Sequence, residues 1–366
     1  MSSAVRRTVT LAALAVMVSM AFTSMSLAAT VYTETNSAAG NEVQVYRTGH
    51  DGTLTWVHSV ATGGRGTDAG LGSQGALALA KNGRWLFVVN AGSNDISAFA
   101  VTSRGLTWID RVSSGGIKPV SLALHGDLLY ALNAGDSGNI SGFRILWNGH
   151  LQALPDSTRP LSSTTADAPQ VGFDRDGDVL VVTEKATNKI SVYGIDDDVP
   201  VGPTVLPSNG MTPFGFAFDR HNNLIVSEAF GGAANASAVS SYDLDEFPLS
   251  LDTISASVPV KQTAACWVVL ARHGKFAYVT NTGSGTVTGF RIDRTGTLTA
   301  LDTDGVTGVT GGNPVDAAVG RDPQTMYVLS PKIGKIVMFH VRADGSVVHL
   351  GSALGVPGSA TGLAAR

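Results

Sequence analysis

The stretch GALALAKNGRWLFVVNAGSNDISAF (Gly75 to Phe99) sets the cadence of the whole chain. It holds an apolar run, a tight turn, a second apolar run ending in Asn, a polar turn and a third run. The cadence returns from Pro119 to Phe143, Pro169 to Tyr193, Pro213 to Phe230, Ala265 to Phe290 and Pro314 to Phe339. A repeat of about 40 to 50 residues with four short strands per unit cannot bury its own apolar faces, and it is the requirement of a β-propeller blade. The least regular unit follows Phe230, where Ala238 to Leu244 is expected to supply the third strand. Val31 to Val60 matches only the second half of a unit, and the missing first strand stands at the other end in PGSATGLAA, Pro357 to Ala365. Six internal units and this shared one give an all-β, seven-bladed β-propeller, closed by pairing of the N- and C-terminal strands in one blade. Closure leaves no free sheet edge.

Residues 1–29 are of another kind. Arg6 and Arg7 precede an uncharged run, Thr8 to Phe22, and then the small-residue stretch SMSLAA, Ser24 to Ala29. This reads as a secretory signal peptide cut after Ala28 or Ala29, leaving a propeller domain over 30–366. The run is shorter than a membrane span, and the arginine pair leaves twin-arginine export open beside the general route. The mature protein is expected to be secreted or periplasmic, a monomer without a membrane span. A net charge of −4 offers no basic stripe to nucleic acid. Cys266 is the only cysteine, so no internal disulfide holds the exported chain, and its place in ACWVVL reads as a buried small hydrophobe.

In each unit a turn such as KNG (Lys81 to Gly83), DRDG (Asp174 to Gly177) or RHG (Arg272 to Gly274) joins strands one and two. An antiparallel hairpin has its turn at one end and both free ends at the other. The residues that open strand one and close strand two are therefore expected to converge on the opposite face, around the channel. The openers include Gln74, Lys118, Gln170, Thr212 and Asn313; the closers are Asn36, Asn90, Asn133, Glu184, Glu228, Asn281 and Ser330. From these, Gln74, Asn90, Lys118, Asn133, Gln170, Asn281 and Asn313 are the candidate ligand-binding residues. Glu184 and Glu228 bring two acids to neighbouring blades at positions that are otherwise Asn or Ser. Close carboxylates either share a cation or keep a proton, so the pair is the candidate catalytic and metal site, for a divalent cation.

Other motifs read as structure. GDSG (Gly135 to Gly138) is the polar turn after a second strand rather than a protease nucleophile loop. Asp174, Asp176 and Asp178 alternate like calcium ligands, but the downstream Glu of a calcium loop is missing and a β-turn with Gly177 at its tip is the better reading. The histidines lack metal-ligand spacing, and Trp56, Trp85, Trp108, Trp147 and Trp267 read as packing between blades.

The segments PQVGFDRDGDVLVVTEKATNKISVY and ACWVVLARHGKFAYVTNTGSGTVTGF resemble the lactonase family of seven-bladed propellers, which includes 6-phosphogluconolactonases and carboxymuconate-cyclizing enzymes. The resemblance implies a small polar ligand, a lactone or sugar acid, at the channel face. Enzymes of the family carry a Pro-Arg-His opening in a middle blade, where this chain has Ala168, Pro169 and Gln170, and Cys266 and Thr282 stand where they place an acid and an arginine. Glu184 is the counterpart of their middle-blade acid. Lactone hydrolysis needs a base for water and a positive group at the oxyanion, so Glu184 or Glu228 is the expected base and a divalent ion the expected electrophile. The alternative is a non-catalytic ligand- or protein-binding propeller in the cell envelope.

Overall fold

Second strands such as Leu128–Asn133 and Phe276–Asn281 are buried along their whole length. That pattern belongs to a sheet covered on both faces, and here the covers are the two neighbouring blades. The computed structural model describes residues 29–246 and 248–366; the expected signal segment, apart from Ala29, lies outside them. Seven antiparallel sheets follow one another, each running from an inner strand to an outer one. The inner strands are Thr361–Ala365, Leu77–Leu79, Pro119–His125, Gln170–Phe173, Pro213–Phe218, Ala265–Ala271 and Asp316–Val319, which head blades one to seven. Each touches the next, and the last touches the first, so the ring is closed.

Closure takes the form read from the sequence. Thr361–Ala365 pairs with Thr30–Glu34, with Val31 opposite Ala365 and Thr33 opposite Leu363. Thr30 and Arg366 exchange both backbone hydrogen bonds at 3.0 Å. The irregular fifth blade obtains its third strand from Ala238–Glu246.

Tyrosines knit the blades together. Tyr130 and Tyr278 sit in second strands and donate their hydroxyls at 2.6 Å to Asp198 O and Gly345 O, in the outer turns of the next blades. Opposite them stand Gly142 and Gly289. A Cβ at Gly142 would lie 2.6 Å from the Tyr130 ring, which is why the third strand there reads Ser-Gly-Phe.

Two expectations change. The second strand of blade one ends at Glu34; Asn36 lies beyond it at φ 50°, in the long turn that leads to the third strand at Glu42. Three buried acids, not two, thus stand near second-strand ends. The tryptophans are also mostly peripheral: Trp147 is 88% exposed, and Trp56 and Trp108 are about half exposed on fourth strands, where a propeller meets solvent. Only Trp267 is fully buried among them.

Candidate functional site

On the face where strand two ends, the closing side chains fasten blades to one another. Asn90, Asn133, Glu184 and Glu228 reach the crossover that arrives from the preceding blade, whereas Asn281 is tied to the third strand of its own blade. Asn90 accepts from Thr62 Oγ1 at 2.7 Å and donates to Asp95 and Ser97. Asn133 donates to Ser114 O at 3.1 Å and to Asn139 Oδ1 at 2.7 Å. Asn281 donates to Thr286 and Thr288. Glu184 accepts from Ser162 N at 3.0 Å, the Ser162 hydroxyl, Thr187 Oγ1 at 2.8 Å and Ser191 Oγ at 2.8 Å. Glu228 accepts from Gly210 N at 2.8 Å, Ser240 Oγ at 2.5 Å and Ser257 Oγ at 2.7 Å. A carboxylate only accepts and an amide also donates, so the acids appear where the crossover presents hydroxyl and N–H donors.

Both glutamates are fully buried, and their partners do not overlap. Burial raises the proton affinity of Glu228, and the donors from Ser240, Ser257 and Gly210 oppose that rise. With every carboxylate oxygen met by a protein donor, the arrangement does not fit a divalent ion shared by the pair. Glu34 is a third buried acid but a less satisfied one: its proton affinity is raised well above the ordinary value by burial, Asn41 donates to Oε2 at 2.6 Å, and Oε1 has no partner among the described residues.

The same face is crossed by a segment that the repeat pattern did not reveal. Leu71 to Gly75 runs from blade two across the channel. Ser73 Oγ donates to Val120 O, Gln74 N to Pro169 O and Lys185 Nζ to Gly72 O. On the far side, Gln74 Nε2 donates to Val268 O at 2.8 Å, Gln74 Oε1 accepts from Val268 N at 3.0 Å, and Trp267 Nε1 donates to Ser73 O at 2.7 Å. Gln170, at the start of blade four, repeats the device toward blade five, exchanging both bonds with the Phe216 backbone. These two amides stand in for a strand, and each inner strand they meet has a register shift there. Of the other candidate ligand residues, Lys118 is exposed at φ 57° and Asn313 Oδ1 accepts from Lys332 N.

The channel opens on the opposite face, among the strand-one to strand-two turns. A cavity of about 680 Å³ is floored by Leu124, Phe173, Phe218 and Leu270, with Gln170 at its base. Its rim carries Lys81, His125, Arg175, Arg220 and His273. An adjoining cavity of about 520 Å³ shares Lys81 and Leu124 and adds Arg321 and Arg366. His125 lies against Phe173, ring centres 5.7 Å apart. Arg272, by contrast, is clamped outward onto Val341 O, Arg342 O and Gln324, which leaves its neighbour His273 at the rim. Beside this mouth Asp174, Asp176 and Glu246 come within 4.8 Å of one another. Glu246 belongs to the outer turn of the fifth blade, so the acid missing downstream in sequence arrives from a neighbour. The Asp174 turn itself is the expected β-turn, with Gly177 at φ 88°.

Cys266 is buried, and burial pushes its thiol up to about 12. Among the described residues no helix is long and apolar enough to cross a membrane.

Residues 20–160 match the family model described as lactonase, 7-bladed beta-propeller. No curated protein matches in sequence. Among solved structures, a protein from Lactobacillus plantarum aligns at TM-score 0.74 and 16% identity, over 93% of this chain and 99% of that one. The periplasmic gluconolactonase of Pseudomonas aeruginosa aligns at TM-score 0.71 and 18% identity, over 92% and 98%. A candidate 6-phosphogluconolactonase of Bacteroides fragilis aligns at TM-score 0.70 and 19% identity, over 94% and 99%. At such identities the likeness is one of fold. By its ring of seven blades and its family match, the chain is a β-propeller that resembles the lactonases.

Proposed function

We propose that the protein is an exported, lactonase-like propeller that holds a small polar ligand, of the lactone or sugar-acid class, at the channel mouth on the hairpin-turn face. The cavity of about 680 Å³ carries this reading, since it has the size of pockets that enclose small molecules. The names of the Pseudomonas and Bacteroides neighbours support the ligand class. The charged start, apolar run and small-residue stretch of residues 1–29 support export. Ring opening of a lactone at this mouth has candidate bases in His125 and His273 and candidate oxyanion partners in Lys81, Arg175 and Arg220. A second reading keeps the chemistry at Glu228 with Glu184, favoured by the raised proton affinity of Glu228. The donors that fill both carboxylates weigh against it.

The test is thermal denaturation of the mature protein with a panel of lactones, sugar acids and divalent ions, together with a ring-opening assay. Stabilisation by a lactone or sugar acid that persists in Glu184→Gln and Glu228→Gln supports the first reading. Loss of turnover in a folded Gln variant supports the second. A protein that neither binds nor hydrolyses any member overturns both and leaves the scaffold propeller. N-terminal sequencing of the protein from its native host tests export, and an intact Met1 would overturn it.

A further inference from the structure

We infer that the ligand of the hairpin-turn mouth is an oxyanion on a flat apolar body, a carboxylate or phosphate attached to an unsaturated ring. This rests on reading the cavity as the ligand site; it keeps the acid group of that ligand class and sets its polyol members aside in favour of a flat, unsaturated body. The chain as a whole is acidic, with 29 Asp and Glu against 25 Lys and Arg. Its channel mouth is nevertheless cationic: Lys81, Arg175, Arg220 and Arg321 converge there from the turns of blades two, four, five and seven. Among the described residues none of these four has an acidic partner within ion-pair distance.

The two acids in the cavity wall do not fill that role. Asp174 Oδ1 accepts from Gly177 N at 2.9 Å and Val179 N at 3.0 Å, and its Oδ2 accepts from Asn222 Nδ2 at 2.9 Å. Asp219 likewise spends its oxygens on His221 N, Asn223 N and Asn223 Nδ2. Both carboxylates hold their own turns in shape. The walls of the two cavities therefore carry acids and cations together, but the cations Lys81, Arg175, Arg220, Arg321 and Arg366 outnumber Asp174 and Asp219, and guanidinium groups suit planar oxyanions.

The floor selects the rest of the ligand. Leu124, Phe173, Phe218 and Leu270 are half-buried there, and the one amide at the base, Gln170, has both its donor and its acceptor engaged with Phe216. A polyol lying on this floor would lose hydrogen bonds to water without replacement, which is costly. A flat ring loses none and gains burial.

The test is titration calorimetry of the mature protein with benzoate, phenyl phosphate, gluconate, inorganic phosphate and neutral γ-butyrolactone, at low and moderate salt. Benzoate or phenyl phosphate should bind best and weaken with salt, and which of the two binds tighter identifies the oxyanion. The double variant Lys81→Ala, Arg220→Ala should lose about tenfold or more in affinity while its melting temperature without ligand stays unchanged, because both side chains are exposed. Tighter binding of gluconate or the neutral lactone, or full affinity in the double variant, overturns the inference and leaves the ligand cavity standing. If no member of this panel and no lactone or sugar acid binds, the cavity reading itself falls.

Discussion

The side-chain amide of Gln74 pairs with the backbone of Val268 on the far side of the ring, Nε2 to O at 2.8 Å and Oε1 to N at 3.0 Å. The two residues are 194 positions apart, so this one contact ties the crossover of blade two to the inner strand of blade six and closes one end of the channel. Replacing Gln74 by Ala leaves the N–H and C=O of Val268 without partners, at a cost of about 1–3 kcal/mol for each buried group left unsatisfied. The urea midpoint should fall accordingly. Gly215→Ala should act alike, since its Cβ would lie 2.3 Å from Gln74 Oε1 and 2.5 Å from Cys266 O. An unchanged midpoint in both variants would show that the crossing segment is not fastened there.

The choice between amide and acid at the strand ends follows from what faces them, and exchanging them should hurt unequally. In Glu184→Gln the new amide meets the Ser162 and Thr187 hydroxyls, which can rotate to accept, so the loss should stay near 1 kcal/mol. In Asn133→Asp a carboxylate would face Ser114 O, a backbone acceptor that no rotation turns into a donor, and would meet Asn139 only if that amide flipped, so the loss should be about 2–3 kcal/mol. Equal losses in chemical denaturation would remove the fastening account.

Stability should fall as pH rises across the neutral range. Asp316 is fully enclosed; its carboxyl accepts from Ala317 N at 2.8 Å and Leu363 N at 3.1 Å, yet burial outweighs these donors and raises it from 3.8 to about 8. Glu34 and Glu228 are also raised by burial. A group raised in the folded state holds its proton there after the unfolded chain has lost it. The contribution is therefore complete below pH 3.8 and is lost up to about 8, at up to about 1.4 kcal/mol per pH unit for Asp316. Denaturation midpoints between pH 5 and 8 should decline, and Asp316→Asn should flatten the slope even as it lowers overall stability. A midpoint that rises over this range would refute the assignment. The acids lowered by their own turns, Asp51, Asp293 and Asp344, act only at more acid pH.

Cys266 should resist thiol reagents in the native protein and react only as fast as the chain unfolds, because thiolate formation is suppressed by burial. Prompt labelling without denaturant would place it at an open site.

The blade count, the shared first blade and the third strand at Ala238 were legible because they rest on local periodicity and turn chemistry. The role of the residues around the channel was not. Hairpin geometry brings Gln74, Gln170 and the closing Asn and Glu residues to one face, but it does not tell whether an amide there meets a ligand or the backbone of another blade. Gln74 meets Val268 only because the ring places their blades across a narrow channel. The cations of the opposite mouth are likewise scattered: Lys81, Arg175, Arg220 and Arg321 occur singly in separate turns, and their convergence is a property of the closed ring. Glu246 beside Asp174 is the same kind of fact, a contact between the outer turn of one blade and the inner turn of its neighbour.

Removal of residues 359–366 is the severest test of the closure. It deletes the strand that pairs with Thr30–Glu34, the Ser359 hydroxyl bonded to Thr35 O at 2.7 Å, and the Leu363 N–H that faces Asp316. The first blade then shows a bare strand edge, and Asp316 loses a donor that had offset its burial. Exposed edges recruit other strands, so the truncated protein should lose its cooperative calorimetric transition and elute as aggregates in size exclusion. A synthetic peptide of residues 357–366 added during refolding should restore both the transition and the monomeric elution, because the lost contacts are those of one short strand. A truncated protein that melts like the parent and stays monomeric without the peptide would show that the ring is held shut by something other than its shared blade.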